Sequence, residues 1–173
     1  QWLEAKQISN VTQSPAYDLI REFVREQFDL LIREAITPWA FFNTSQGVSF
    51  DLPNGKKIRY SGIEFGGSVR QMFWQAFLDP YVHKIRKDTF GWTRKLCHDQ
   101  KLSPVMPLKE TAMFLAGGLG RCLDRMTDID RRLRGRGTPN NVPPYNSEPE
   151  RVALEKIIAA RLKSELRLAG DHS

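Results

Sequence analysis

The chain has 173 residues, 40% of them hydrophobic, with ten Phe, four Trp and four Tyr, enough apolar surface to bury a core and too much for disorder along the whole length. Its longest apolar run, residues 112–120, is far short of the roughly 20 residues that a bilayer-spanning helix needs, and no charged-then-apolar leader opens the chain, so a soluble protein with no membrane span is expected. The net charge of +6 is uneven: residues 1–40 carry four basic and six acidic groups, residues 66–101 seven and three, and residues 121–136 six and three.

Two cysteines, Cys97 and Cys122, are too few for a disulfide framework, and both lie in apolar-patterned segments where a thiol behaves as a small hydrophobe. A reducing, cytoplasmic setting fits that usage.

Ser14 followed by Pro15 is a helix-start signal, a hydroxyl cap with proline at the first helical position. Ile20, Phe23, Val24, Phe28, Leu31 and Ala35 then make one apolar face, and Arg25–Asp29 and Asp29–Arg33 are spaced as supporting ion pairs. Pro38 ends the segment, and Trp39, Phe41 and Phe42 read as a hydrophobic plug. A hairpin is expected over about 48–60 around Pro53-Asn54-Gly55. Gly55 in the left-handed position sets Phe50 against Ile58 and Val48 against Tyr60 on one face, with Asp51 opposite Lys57 on the other. Ile63 and Phe65 could continue it as a short third strand.

Ser68 and Gln71 have capping-box spacing ahead of a helical face of Val69, Met72, Phe73, Ala76 and Phe77. Asp79-Pro80 opens a short helix holding Val82 and Ile85, expected to stop at Phe90-Gly91. Trp92, Leu96 and Cys97 suggest another, ending by Ser103-Pro104. The longest periodic segment follows. From Pro107 to Gly135, Leu108, Ala112, Leu115, Leu119, Cys122, Met126, Ile129 and Leu133 fall at unbroken four-three spacing, which returns to one helix face at every step. Such a helix would be roughly 40 Å long. Residues 135–146, rich in Pro and Asn, read as an exposed linker. Ser147 and Glu150 form a second capping box before a stripe of Leu154, Ile158, Leu162 and Leu166.

These elements predict a mainly α fold, a compact multi-helix domain around a long central helix (about 107–134) with one β-hairpin (about 48–60). The organisation is a helical domain over 1–134, a linker over 135–146, and a C-terminal helix over 147–169 that packs on the domain or on a partner.

Two basic stretches are candidate anion sites. In the first, His83, Lys84, Arg86, Lys87, Arg94 and Lys95 interleave with Trp74, Tyr81, Phe90 and Trp92, supplying cations for phosphate and rings for stacking; the plain alternative is an amphipathic helix with its rings buried. In the second, Arg121, Arg125, Arg131, Arg132 and Arg134 run to the end of the central helix, where they also complement its dipole.

Gly117, Gly118 and Gly120 lack the spacing of a phosphate loop and keep the four-three phase, so a continuous helix is expected in which small residues admit a close neighbour. Asp124 and Asp128 share a helix face and are the one alternative metal pair, with arginines close by to neutralise them. His98 adjoins Cys97, but neighbouring helical side chains diverge, and no zinc spacing or nucleophile elbow is present. No cofactor is expected.

The function these residues favour is a non-enzymatic regulatory or adaptor module that self-associates through helices, as a homo-oligomer or within a larger protein complex, and binds nucleic acid or another polyanion. The alternatives are a small metal-assisted enzyme acting on a phosphate-containing substrate and a purely structural subunit of a larger complex.

Overall fold

A computed structural model of the chain describes residues 12–37, 48–51, 55–60, 79–134 and 143–170. The described structure is mainly helical: α1 (Tyr17–Leu31), continued by a π-helical turn (Ile32–Ile36), then strands β1 (Val48–Asp51) and β2 (Lys57–Tyr60), then α2 (Asp79–Gln100), α3 (Val105–Arg134) and α4 (Glu148–Leu168). The expected aromatic plug at 39–42, most of the hairpin tip, the third strand at 63–65, the helix at 69–77 and residues 135–142 of the linker lie outside the described residues.

Helix α1 starts at Tyr17, two residues later than Ser14-Pro15 suggests, with Ala16 at its N-cap and no side-chain cap; Ser14 forms the turn before it, its Oγ accepting the amide of Ala16 at 3.3 Å and its carbonyl that of Tyr17 at 3.1 Å. The same serine donates its own amide and hydroxyl to the two carboxylate oxygens of buried Glu110, at 2.7 and 2.5 Å. That carboxylate lies in the second turn of α3, so it fastens the start of α1 to the N-terminal part of α3. Ile20, Val24, Phe28, Leu31 and Ala35 form the buried face. The ion pairs expected on the opposite face are different. Arg25 reaches Glu22 at 2.7 Å, Arg33 lies 3.5 Å from Glu34, and Asp29 is taken by Arg121 of α3 at 2.6 Å.

Strands β1 and β2 pair antiparallel in the register Val48↔Tyr60, Ser49↔Arg59, Phe50↔Ile58 and Asp51↔Lys57, and Gly55 adopts φ +81°. The Tyr81 hydroxyl donates to the Asp51 carbonyl at 2.6 Å, which ties the pair to α2.

Helix α2 corrects the expectation of two short helices: it runs unbroken through Phe90-Gly91. Its buried face is Val82, Ile85, Thr89, Thr93 and Cys97, so two threonines carry the helical phase across the apparent stop. Their hydroxyls are satisfied, Thr89 by the Ile85 carbonyl at 2.7 Å and Thr93 by Thr111 of α3 at 2.7 Å. The helix ends where Lys101 turns left-handed at φ 55°, with the Leu102 amide donating back to the Cys97 carbonyl and the Lys101 amide to that of His98.

Helix α3 is continuous through its glycines, and α1, α2 and α4 all pack on it. Leu108, Ala112, Leu115, Leu119, Cys122, Met126 and Ile129 are all buried, covered by the chain's own helices. The glycines admit side chains rather than a neighbouring backbone. A Cβ on Gly118 would lie 2.1 Å from the Phe28 ring, and one on Gly120 3.0 Å from the Arg151 guanidinium, while Gly117 faces open space.

Helix α4 runs antiparallel to α3. Its approach is anchored by the Tyr145 amide donating to buried Asp130 at 2.9 Å, its first turn by Arg151 reaching Asp124 at 3.2 Å. The expected Ser147–Glu150 capping box is not formed. Ser147 already has helical φ and ψ, its hydroxyl caps nothing, and Asn146 Oδ1 instead accepts the Glu148 amide at 3.1 Å.

Candidate anion-binding groove

Helices α2 and α4 both pack on α3, and a groove runs between them. Towards its α2 start it opens into a cavity of about 490 Å³ lined by His83, Arg86 and Lys87 from α2 and by Ile157, Ala160, Arg161 and Ser164 from α4. The α2 residues share this wall because positions 83, 86 and 87 are one helical turn apart, and 157, 160, 161 and 164 do the same on α4. Among the described residues no carboxylate lines the cavity.

Within it the Arg86 guanidinium lies 2.8 Å from His83 Nδ1. A guanidinium only donates, so this geometry makes Nδ1 the acceptor and puts the proton of the neutral ring on Nε2. Lys87 is exposed and has no ion-pair partner among the described residues. Lys84, on the neighbouring face, is paired with Asp88.

The middle of the groove is closed by a clamp. Glu165 of α4 is 1% exposed and is held by Arg94 of α2 at 2.6 Å on one oxygen and by Arg161 on the other, with both Nε and Nη2 at 2.8 Å. A carboxylate this deeply buried is tolerated because both oxygens receive charge-assisted bonds. Two arginines against one carboxylate also leave a positive surplus beside the cavity. Beyond the clamp the groove turns apolar, a smaller cavity of about 220 Å³ lined mainly by Cys97, Leu102, Pro104, Leu108 and Leu168. Burial, and after it the charge of Glu110, raises the pKa of the Cys97 thiol above its ordinary range, which disfavours the reactive thiolate. Burial pushes Cys122 further, to about 12.

The structure thus brings together only part of the residues singled out in the sequence. His83, Arg86 and Lys87 share the cavity; Arg94 is diverted to Glu165 and Arg121 to Asp29. Lys95 and Arg132 are exposed, Arg125 is half-buried, Arg131 pairs with Asp128 at 3.3 Å, and the side chain of Arg134 lies outside the described residues. The alternative metal pair is likewise engaged with arginines, Asp124 with Arg151 and Asp128 with Arg131. Among the described residues no three His, Cys, Asp or Glu side chains gather as a metal site requires. Sequence reasoning missed Arg161, Ser164 and Glu165. The i, i+4 spacing of Arg161 and Glu165 was a visible sign of a pair, but nothing local shows that α4 lies beside residues 83–94.

Among the described residues no helix is long and apolar enough to cross a membrane. Comparison of the chain with protein-family models, with curated proteins and with solved structures finds no match.

Proposed function

We propose that the protein is a non-enzymatic regulatory or adaptor module that holds an anionic partner, nucleic acid, in the groove between α2 and α4. The observation that supports this reading is the gathering of Arg86, Lys87 and His83 from α2 and Arg161 from α4 around one cavity, with no carboxylate among its described lining residues. Cations gathered in a concavity with low-dielectric walls focus their field, which raises both the local concentration of a polyanion and its rate of arrival. In this reading the long helix α3 is the spine that holds α2 and α4 side by side, and the paired strands brace α2 through Tyr81.

Fluorescence anisotropy with a labelled single-stranded oligonucleotide tests it. Neutralising phosphate charge in the cavity releases counterions, so log affinity should fall linearly with log salt concentration between about 50 and 200 mM salt, with a measurable slope. Lys87→Glu, at an exposed side chain with no ion-pair partner among the described residues, should weaken binding and flatten that slope without disturbing the fold. Absence of binding at low salt, or binding indifferent to Lys87→Glu, refutes the proposal.

A further inference from the structure

We infer, resting on that reading of the groove, that the cavity is built for the terminal phosphate of a phosphomonoester rather than for an internal phosphodiester. Its donors do not form a track. A strand lying along a groove presents one phosphate after another, and needs cations repeated along its path. Here the cations line a single cavity: Arg86 and Lys87, with the His83 ring, from one side, Arg161 from the other. Along the groove the next cation, Arg94, is spent on Glu165, and beyond it the wall is mainly the apolar surface of Leu102, Pro104, Leu108 and Leu168, with one imidazole, His98, beside Asp99 at 3.3 Å. Among the described residues no second group of cations follows the first along this groove.

The chemistry of the donors matches a phosphate end. A phosphomonoester carries about −1.5 to −2 charge near neutral pH and three terminal oxygens, where a diester offers one charge and two. Arg161 uses Nε and Nη2 on Glu165, which leaves Nη1 as the group able to reach a ligand. The clamp therefore holds the guanidinium in a fixed plane beside the cavity instead of leaving it to search. Ser164, one turn on from Arg161, adds a hydroxyl that can donate to a third oxygen, a role with no use in a purely electrostatic contact. Ile157, 42% exposed, and Ala160 form the apolar part of the same wall, placed to pack against the carbon skeleton next to the phosphate.

A terminal phosphate can come from a strand end or from a small nucleotide, and a three-armed titration of the full chain separates them. The probes are one labelled oligonucleotide in end-phosphorylated and end-hydroxyl forms, and a nucleoside monophosphate as competitor. The end-phosphorylated strand should bind at least about tenfold more tightly, the size expected for one charge-assisted hydrogen bond. Lys87→Gln and Arg86→Gln should each abolish that preference and Ser164→Ala should reduce it, with circular dichroism checking that each variant is folded. Competition by the monophosphate at matching affinity assigns the site to small nucleotides; tight binding of the phosphorylated strand alone assigns it to strand ends; either supports the inference. Equal affinity for the two strand forms overturns it and leaves the nucleic-acid reading standing. Binding of the monophosphate with no binding of either strand does the reverse. A preference that survives Lys87→Gln and Arg86→Gln places the phosphate elsewhere and overturns the inference, and no binding of any probe overturns both.

Discussion

Adjacent glycines in the middle of α3 offer a controlled test of how the core is packed. Gly117 and Gly118 have the same backbone environment, so replacing either by alanine gains the same helix propensity, about 1 kcal/mol. Their surroundings differ. A Cβ on Gly117 meets nothing within 4 Å, whereas one on Gly118 would lie 2.1, 2.4 and 2.7 Å from Cδ2, Cε2 and Cγ of Phe28. Carbon atoms in contact rest about 3.5–4.0 Å apart, so the ring would have to retreat by roughly 1.4 Å. Phe28 is 1% exposed and has no free volume to retreat into, and overpacking of this kind costs about 1–3 kcal/mol, with more where the backbone must follow. Gly117→Ala should therefore raise stability by up to about 1 kcal/mol. Gly118→Ala should lie about 1–3 kcal/mol below it. For a chain of this length that separates the two thermal midpoints by roughly 2–12 °C, and urea unfolding followed by circular dichroism should show the same order. Phe28→Leu in the Gly118→Ala background should recover part of the loss, a coupling that a double-mutant cycle reads directly. Equal stabilities for the two alanine variants would refute the close seating of Phe28 on Gly118.

Three further outcomes follow from named groups. Because the folded-state pKa of Cys122, about 12, is above the reference value of 9.0, the unfolded chain loses this proton first as pH rises; stability should fall between about pH 9 and 12, less steeply in Cys122→Ala, as read by urea midpoints across that range. At the clamp, replacing both Arg94 and Arg161 by Met strands the Glu165 carboxylate and should cost about 3–5 kcal/mol. Glu165→Gln, which frees two arginines that already reach solvent, should cost only about 1–2 kcal/mol; the reverse order in chemical denaturation would count against the clamp. Lys101→Gly removes a side chain from a left-handed residue at the end of α2 and should stabilise by up to about 1 kcal/mol, visible as a raised thermal midpoint.

The helical character of the chain was legible because apolar spacing reports which face of a helix is buried, and in α1 the residues at 20, 24, 28, 31 and 35 are that face. Local punctuation was less reliable. Phe90-Gly91 looked like a stop because threonine was not counted as a core residue, yet Thr89 and Thr93 are buried and their hydroxyls are satisfied, Thr89 within its own helix and Thr93 by Thr111 of α3. Ser147 and Glu150 had capping-box spacing, but Ser147 itself has helical φ and ψ, its hydroxyl caps nothing, and Asn146 took over. The candidate site was half visible: a cation can be read from sequence, its partner cannot. Arg94 and Arg121 read in sequence as cations open to a ligand, but Glu165 and Asp29 reach them from elements 71 and 92 residues away.

One wall of the groove belongs to α4 and the other to α2, so the site exists only while α4 is docked. Ligand occupancy and helix docking are then a single equilibrium. Any anion that prefers the assembled groove adds its binding free energy to the hold on α4, about 2.7 kcal/mol at a hundredfold excess over Kd. By the same linkage, whatever loosens α4 lowers affinity without touching a single ligand-binding atom. Hydrogen exchange along Glu148–Leu168 becomes a reporter of occupancy, slowing as the site fills.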